Sequence, residues 1–264
     1  MTSPPRHIHS RDNALLREFG LLAESSRERR RRGESFIEGT HLCGAYLDRF
    51  GAPRAALVAQ SALADAEVAA LVARCANTAA VADDALYRSV SQLAQGAGIA
   101  FIVATPRAAL PARIEADCVY LDRIQDPGNV GSILRSCAAA GVGLVVTAPQ
   151  TAFVWSPKVL RAGMGAHFRL TVCEQVGWDE LRARLRTRLF GTRARHARGL
   201  HAADLRQAGC WLLGNEGAGL SVEDARIEWV SIAQTRAVES LNVAAAAAVC
   251  VFEQRRQRLV AAGG

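Results

Sequence analysis

Two short apolar runs, Cys118-Val119-Tyr120-Leu121 and Gly143-Leu144-Val145-Val146, bracket the segment Gln125-Asp126-Pro127-Gly128-Asn129-Val130-Gly131-Ser132-Ile133-Leu134-Arg135. Pro127 and Gly128 mark a turn. Asn129 is placed to cap a helix through its side-chain oxygen. Val130, Ile133, Leu134, Cys137 and Ala138 then share one helical face. The stretch therefore reads strand, turn, helix, strand, which commits this part of the chain to an α/β sheet. Such a unit needs a turn and a helix. It does not need an arginine one turn or so into that helix. Arg135, together with the polar Asn129 and the small Gly131, is thus a candidate functional group.

The α/β alternation continues on both sides. On the N-terminal side, residues 1–10 read as a flexible arm. A helix is expected from Asn13 to Arg32, with Leu15, Leu16, Phe19, Leu22 and Ala23 on one face. Further strands are expected at 35–39, 55–59, 78–81 and 99–104, and further helices at 40–49, 64–75 and 83–92. These make a smaller domain over 11–106, followed by a linker at 107–115 containing Pro111. The second domain, 116–264, has expected strands at 118–124, 143–147, 168–172, 188–193, 210–214 and 229–232. Its main helices are expected at 130–140, 156–163, 177–187 and 241–258. Strands and helices in this order imply a mostly parallel sheet with helices on both faces. A binding site is then expected at the carboxyl ends of the strands.

The chain has 264 residues, a net charge of +7 and a pI near 9.4, which suggests an acidic partner, with nucleic acid the first candidate. Arg27, Arg29, Arg30, Arg31 and Arg32 form the densest basic cluster and are candidate phosphate contacts. The alternative is a solvated helix end; so dense a run is unfavourable unless something anionic offsets its repulsion. Seven scattered cysteines embedded in apolar runs fit reduced, buried thiols in a cytoplasmic protein. No CxxC or HxxxH spacing occurs, so no metal site is expected. No apolar run is long enough to span a membrane, and none is expected to.

Two later segments carry polar groups that a fold does not require. Trp211-Leu212-Leu213-Gly214-Asn215-Glu216-Gly217-Ala218-Gly219-Leu220-Ser221 is a strand entering a glycine-rich turn. Gly214, Gly217 and Gly219 are expected to permit positive φ and close approach to a ligand. The spacing is not GxGxxG, which disfavours a nicotinamide site and with it an oxidoreductase. Glu216 within the turn is the informative residue. Glu239-Ser240-Leu241-Asn242-Val243 opens an alanine-rich helix, with Ser240 the expected cap. Asn242 in its first turn needs a partner, either backbone or ligand. His167 is read as a structural histidine.

Taken in order, these segments resemble the SpoU (TrmH-like) family of RNA ribose methyltransferases in the SPOUT superfamily. The resemblance rests on Asn129 to Arg135, on Leu213 to Ser221 and on Ser240 to Val243 with the following helix. Ser156 to Ala166 is also similar, and the first domain looks like the family's L30e-like substrate-binding domain. Two departures stand out: Ala233-Gln234 where the family commonly has Pro-Met after the isoleucine, and Ala244 where it often has Ser or Thr. The resemblance implies a C-terminal trefoil knot, a homodimer with active sites at its interface, and S-adenosyl-L-methionine as cofactor. It implies methylation of a ribose 2′-OH in RNA; the separate N-terminal domain points to structured rRNA ahead of tRNA, with both kept as candidate partners. It further implies that Arg135, Asn129, Glu216, Ser240 and Asn242 form the catalytic set. Thr147, Ala148, Gly214, Asn215, Gly217, Ile232, Leu241 and Asn242 would surround the cofactor. The alternatives are a non-catalytic knotted RNA-binding or ribosome-assembly protein and a base methyltransferase of the same superfamily.

Overall fold

A computed structural model describes residues 5–93, 98–193, 197–235, 237 and 239–263. The chain divides into two compact units, Met1–Pro106 with Trp155–Phe168, and Arg107–Val154 with Arg169–Gly264.

The first unit runs β1 (Arg6–Ile8), α1 (Ala14–Glu24), α2 (Ser26–Arg32), β2 (Glu34–Glu38), α3 (Thr40–Phe50), β3 (Ala55–Ala59), α4 (Ala66–Arg74), β4 (Ala79–Ala82), α5 (Asp84–Arg88) and β5 (Ile99–Ala104). Its sheet has the order β1-β4-β3-β5-β2, parallel from β1 to β3 and antiparallel at β5. Phe19, Phe36, Leu57, Tyr87 and Ile102 fill the core.

Three expectations for this unit are corrected. Residues 1–4 of the predicted arm lie outside the described residues, but Arg6–Ile8 pair with Ala80–Ala82 and bury Ile8. An apolar residue with a sheet edge to join is not left as an arm. The single helix expected over 13–32 is two. Ser25 turns extended (φ −98°, ψ 108°) and its hydroxyl accepts from Glu28 N, so it caps a new helix rather than continuing the old one.

The arginine run is also not uniformly free. Arg29 is buried, and its guanidinium donates to the Leu22 and Ala23 carbonyls, which the end of α1 leaves without helical partners. Arg31 pairs with Glu28 at 2.6 Å and Arg32 with Glu18 at 2.8 Å. The repulsion within the run is thus offset inside the fold, and Arg29 is removed from the candidate RNA contacts.

The second unit contains β6 (Cys118–Asp122), α6 (Pro127–Ala140) and β7 (Leu144–Thr147). After an interruption follow β8 (Thr171–Cys173), α8 (Trp178–Arg184), β9 (Arg188–Thr192), β10 (Arg198–Gly199), β11 (Gly209–Gly214), β12 (Ile227–Ser231) and α9 (Val243–Ala261). Its seven strands, in the order β10-β12-β9-β11-β6-β7-β8, pair in parallel throughout. The central strands are apolar on both faces, as a parallel sheet requires: Cys118 to Leu121 and Cys210 to Leu213 are all buried. The Trp211 indole N–H donates to Gln254 Oε1 at 2.9 Å, fixing α9 to β11.

The interruption is α7 (Pro157–Gly163). The sequence places this helix in the second domain, yet residues 155–168 belong to the first unit. Val159, Leu160 and Gly163 form its buried face, and it packs on β2. His167 is buried there with its ring 5.4 Å from that of Trp155, which agrees with a structural role. Among the described residues no helix is long and apolar enough to cross a membrane. No cluster of three or more His, Cys, Asp or Glu side chains with metal-binding geometry occurs among them either.

Candidate active site

The second unit has a cleft of about 510 Å³ where residues follow the carboxyl ends of β9, β11 and β12. This is where open parallel sheets bind ligands. Thr192, Arg193, Gly214, Asn215, Glu216 and Ile232 line it from the strand ends. Gln234, Glu239, Ser240, Leu241 and Asn242 line it from the loop that leads into α9.

The glycine turn is built by its polar residues. Asn215 and Gly219 exchange two backbone hydrogen bonds, of 3.0 and 2.8 Å. Asn215 Oδ1 accepts from Gly217 N and Ala218 N at 3.0 Å, and its Nδ2 donates to Arg123 O at 2.9 Å. Only Gly219 has positive φ, at 69°. Gly214 is needed for another reason: a Cβ there would lie 2.3 Å from the backbone of Gly219 and Leu220. The expectation that all three glycines serve ligand approach through positive φ is therefore corrected. Asp122, at the buried end of β6, accepts from the Ser221 N–H and hydroxyl and anchors the far side of the turn.

The helix caps differ from expectation as well. Asp126, not Asn129, caps α6, its Oδ1 accepting from Asn129 N at 2.8 Å, with Pro127 in the first turn. Asn242, not Ser240, caps α9, its Oδ1 accepting from Ala244 N at 2.9 Å and Ala245 N at 3.2 Å. These changes free the Asn129 side chain and fix the other. Because Asn242 Oδ1 faces backbone donors, its Nδ2 points outward and donates to Asn129 Oδ1 at 2.9 Å. Asn129 Nδ2 in turn donates to Glu216 Oε1 at 2.7 Å. Each amide has one orientation compatible with its partners. The three segments singled out in the sequence are thereby linked by one directional chain that ends on a carboxylate.

Ser240 lines the cleft but makes no side-chain hydrogen bond among the described residues. Arg135 lies more than two turns into α6, rather than one, because the helix begins at Pro127. It is exposed and has no hydrogen bond or ion pair among the described residues, and it does not line the cleft. Of the expected cofactor residues, Gly214, Asn215, Gly217, Ile232, Leu241 and Asn242 line the cleft. Thr147 and Ala148 do not: both are buried, with Thr147 O accepting from Val176 N and Ala148 N donating to Leu121 O. The sequence reading missed Asp122, Arg193, Gln234 and Glu239. Asp122 was detectable as the one charge ending an otherwise apolar strand.

Comparison with known proteins agrees with this architecture. The SpoU rRNA methylase family profile matches residues 117–252. An uncharacterized tRNA/rRNA methyltransferase of Synechocystis, slr1673, is 29% identical over 272 aligned positions, covering 99% of this chain and 97% of the relative. The Bacillus subtilis 23S rRNA (guanosine(2553)-2′-O)-methyltransferase RlmP is 28% identical over 257 positions, covering 95% of this chain and 99% of its own length. The AdoMet complex of the SpoU methyltransferase AviRb from Streptomyces viridochromogenes superposes with a TM-score of 0.83 at 27% identity. That match covers 94% of this chain and 98% of AviRb.

Proposed function

This chain belongs to the SpoU rRNA methylase family, and from that membership we propose that it methylates a ribose 2′-hydroxyl of ribosomal RNA with Arg135 at the target oxygen. It is an S-adenosylmethionine-dependent RNA 2′-O-ribose methyltransferase. The observation that carries the reading is the hydrogen-bonded chain Asn242–Asn129–Glu216 beside the cleft. A protein that only bound RNA would have no need of it.

The cleft fits the cofactor. Its volume is in the range of small-molecule sites. Gln234 Oε1 is buried with no donor among the described residues. It is an acceptor that a ligand N–H or O–H satisfies. Gly214, Ile232 and Leu241 would hold the cofactor's adenosine from the strand ends and the loop, with Asn215 and Gly217 shaping the turn around it. When bound, S-adenosylmethionine supplies the methyl group as a sulfonium electrophile.

The chain's own residues supply position and charge. A guanidinium does not deprotonate in a protein, so Arg135 orients the ribose hydroxyl and stabilises the negative charge developing on its oxygen, while the hydroxyl proton passes to an RNA phosphate oxygen or to water. The Asn242–Asn129–Glu216 chain holds the first turn of α6, and with it Arg135, in register with the cleft. Ser240, unengaged at the cleft wall, serves as a contact for the target nucleotide. Arg27, Arg30, Arg31 and Arg32 contribute RNA phosphate contacts from an L30e-like first domain.

The C-terminal region is read as a trefoil knot. The strand order supports this, with β11 between β6 and β9, β12 beyond β9, and α9 returning onto α6 and β11. The working form is read as a cytoplasmic homodimer. The exposed Val249, Phe252, Leu259 and Val260 of α9 are the apolar surface that pairing would cover. Mapping 2′-O-methyl sites in total RNA from a deletion strain and its parent tests the reading. One rRNA site lost in the deletion strain supports it. An unchanged rRNA map with a lost tRNA site overturns the rRNA assignment.

A further inference from the structure

Arg193 follows β9 at the cleft wall, where, among the described residues, an aromatic ring rather than a carboxylate holds its guanidinium. Its backbone N–H donates to Val230 O at 2.9 Å, which continues the β9–β12 pairing past the strand end. Its guanidinium carbon lies 3.5 Å from the centroid of the Trp229 ring. Trp229 stands opposite Gly191 in the β9–β12 register, and a Cβ at Gly191 would lie 2.8 Å from the indole Cζ3. The missing side chain at 191 is thus what seats the indole, and residue 193, on the same face, lays its guanidinium over it.

Arg182, Arg188, Arg226 and Arg258 all pair with carboxylates of this unit. Arg193 lines the cleft and has no carboxylate partner among the described residues. Stacking occupies the face of a guanidinium and leaves its in-plane N–H groups directed outward. A guanidinium held flat in this way is pre-organised to take a planar anion through two parallel hydrogen bonds. Of the two glutamates that line the same cleft, Glu216 is engaged by Asn129. The one anionic group of S-adenosylmethionine is the carboxylate of its amino-acid end.

We propose that Arg193, stacked on Trp229, is the bidentate anchor for the cofactor's carboxylate. The proposal rests on the reading that the cofactor occupies this cleft. Carboxylate recognition here does not require Arg135 or RNA, so it is separable from catalysis.

The test is calorimetric binding of S-adenosylmethionine and of decarboxylated S-adenosylmethionine to the wild type, Arg193→Ala and Arg193→Lys. The wild type is expected to prefer the carboxylated compound by about ten-fold or more. Arg193→Ala should lose that preference while binding the decarboxylated compound as the wild type does. Arg193→Lys should recover only part of it, because an ammonium lacks the planar fork. Wild-type discrimination retained in Arg193→Ala overturns the proposal. So does a loss of rRNA-fragment affinity in Arg193→Ala with cofactor affinity unchanged, which would make Arg193 a phosphate contact. Failure of the wild type to bind either compound overturns the cofactor reading itself and this proposal with it.

Discussion

Asn242 Nδ2 donates to Asn129 Oδ1 across 2.9 Å, joining residues 113 positions apart in the chain. The bond has a fixed direction because the other end of the Asn242 amide caps α9. Loss of the donor can therefore be separated from loss of the cap. Asn242→Asp keeps an oxygen for the Ala244 and Ala245 N–H groups but turns an acceptor toward Asn129 Oδ1. Thermal stability should change by no more than about 1 kcal/mol, the scale of one N-cap. Methylation should fall about a hundred-fold, the lower end of what one positioned polar group contributes at an active site. Denaturation curves and initial rates on the same preparations check both halves.

Arg135 is exposed and unpaired among the described residues, so the fold does not depend on it. Arg135→Ala is expected to unfold as the wild type does and to bind S-adenosylmethionine with unchanged affinity. Its turnover should drop by about 10² to 10³. Arg135→Lys should remain well below wild type, since a point charge does not reproduce the guanidinium fork. Single-turnover rates at saturating cofactor and RNA distinguish this from weakened binding.

Much of this site was legible in the sequence, and the errors have local causes. Asn129, Arg135 and Glu216 stood out because their segments needed no such groups to fold, and Asn242 because an amide in the first turn of a buried helix needs a partner. The caps were misassigned where two candidates sat within one turn. For α6 the deciding signal was present: proline favours the first helical position, which makes Asp126 the cap. For α9, Ser240 and Asn242 carry no comparable mark, and the partner that selects Asn242 is 113 residues away. Helix α7 was readable from its pattern. Periodicity reports that a face is buried but not what covers it, so its membership of the first unit was not readable. Arg193 was overlooked because its meaning depends on Trp229 and Gly191 lying opposite each other on neighbouring strands.

Buried Glu253 of α9 accepts from Arg256 Nε and Nη2 at 2.8 Å and from Gln257 Nε2 at 2.9 Å. The Arg256 hydrogen bonds lower its pKa from the usual 4.5 to about 2, against the opposing effect of burial. A depressed folded-state pKa stabilises the native state above the unfolded value, and that contribution is lost as pH falls from about 4.5 toward 2. Wild-type unfolding free energy should therefore decline across this window. Glu253→Gln should be less stable than wild type at neutral pH and converge on it at the acid end. Urea titrations of both proteins between pH 7 and pH 2.5 measure the difference.

The apolar residues left exposed on α9 provide a test of assembly. Phe252 is 44% exposed and Val260 67%. Phe252→Asp should convert the proposed dimer to monomer in light scattering without changing the far-UV spectrum. A dimer of unchanged stability in this variant would place the interface elsewhere.

The most direct test of the account is the identity of the product. Purified protein is incubated with S-adenosylmethionine carrying a labelled methyl group and with protein-free ribosomal RNA, and the RNA is then digested to nucleosides. The account predicts that the label resides in a single 2′-O-methylnucleoside and enters it about 10² to 10³ times more slowly when the enzyme carries Arg135→Ala. Label in a methylated base, or no transfer by wild-type protein that binds both substrates, would contradict it.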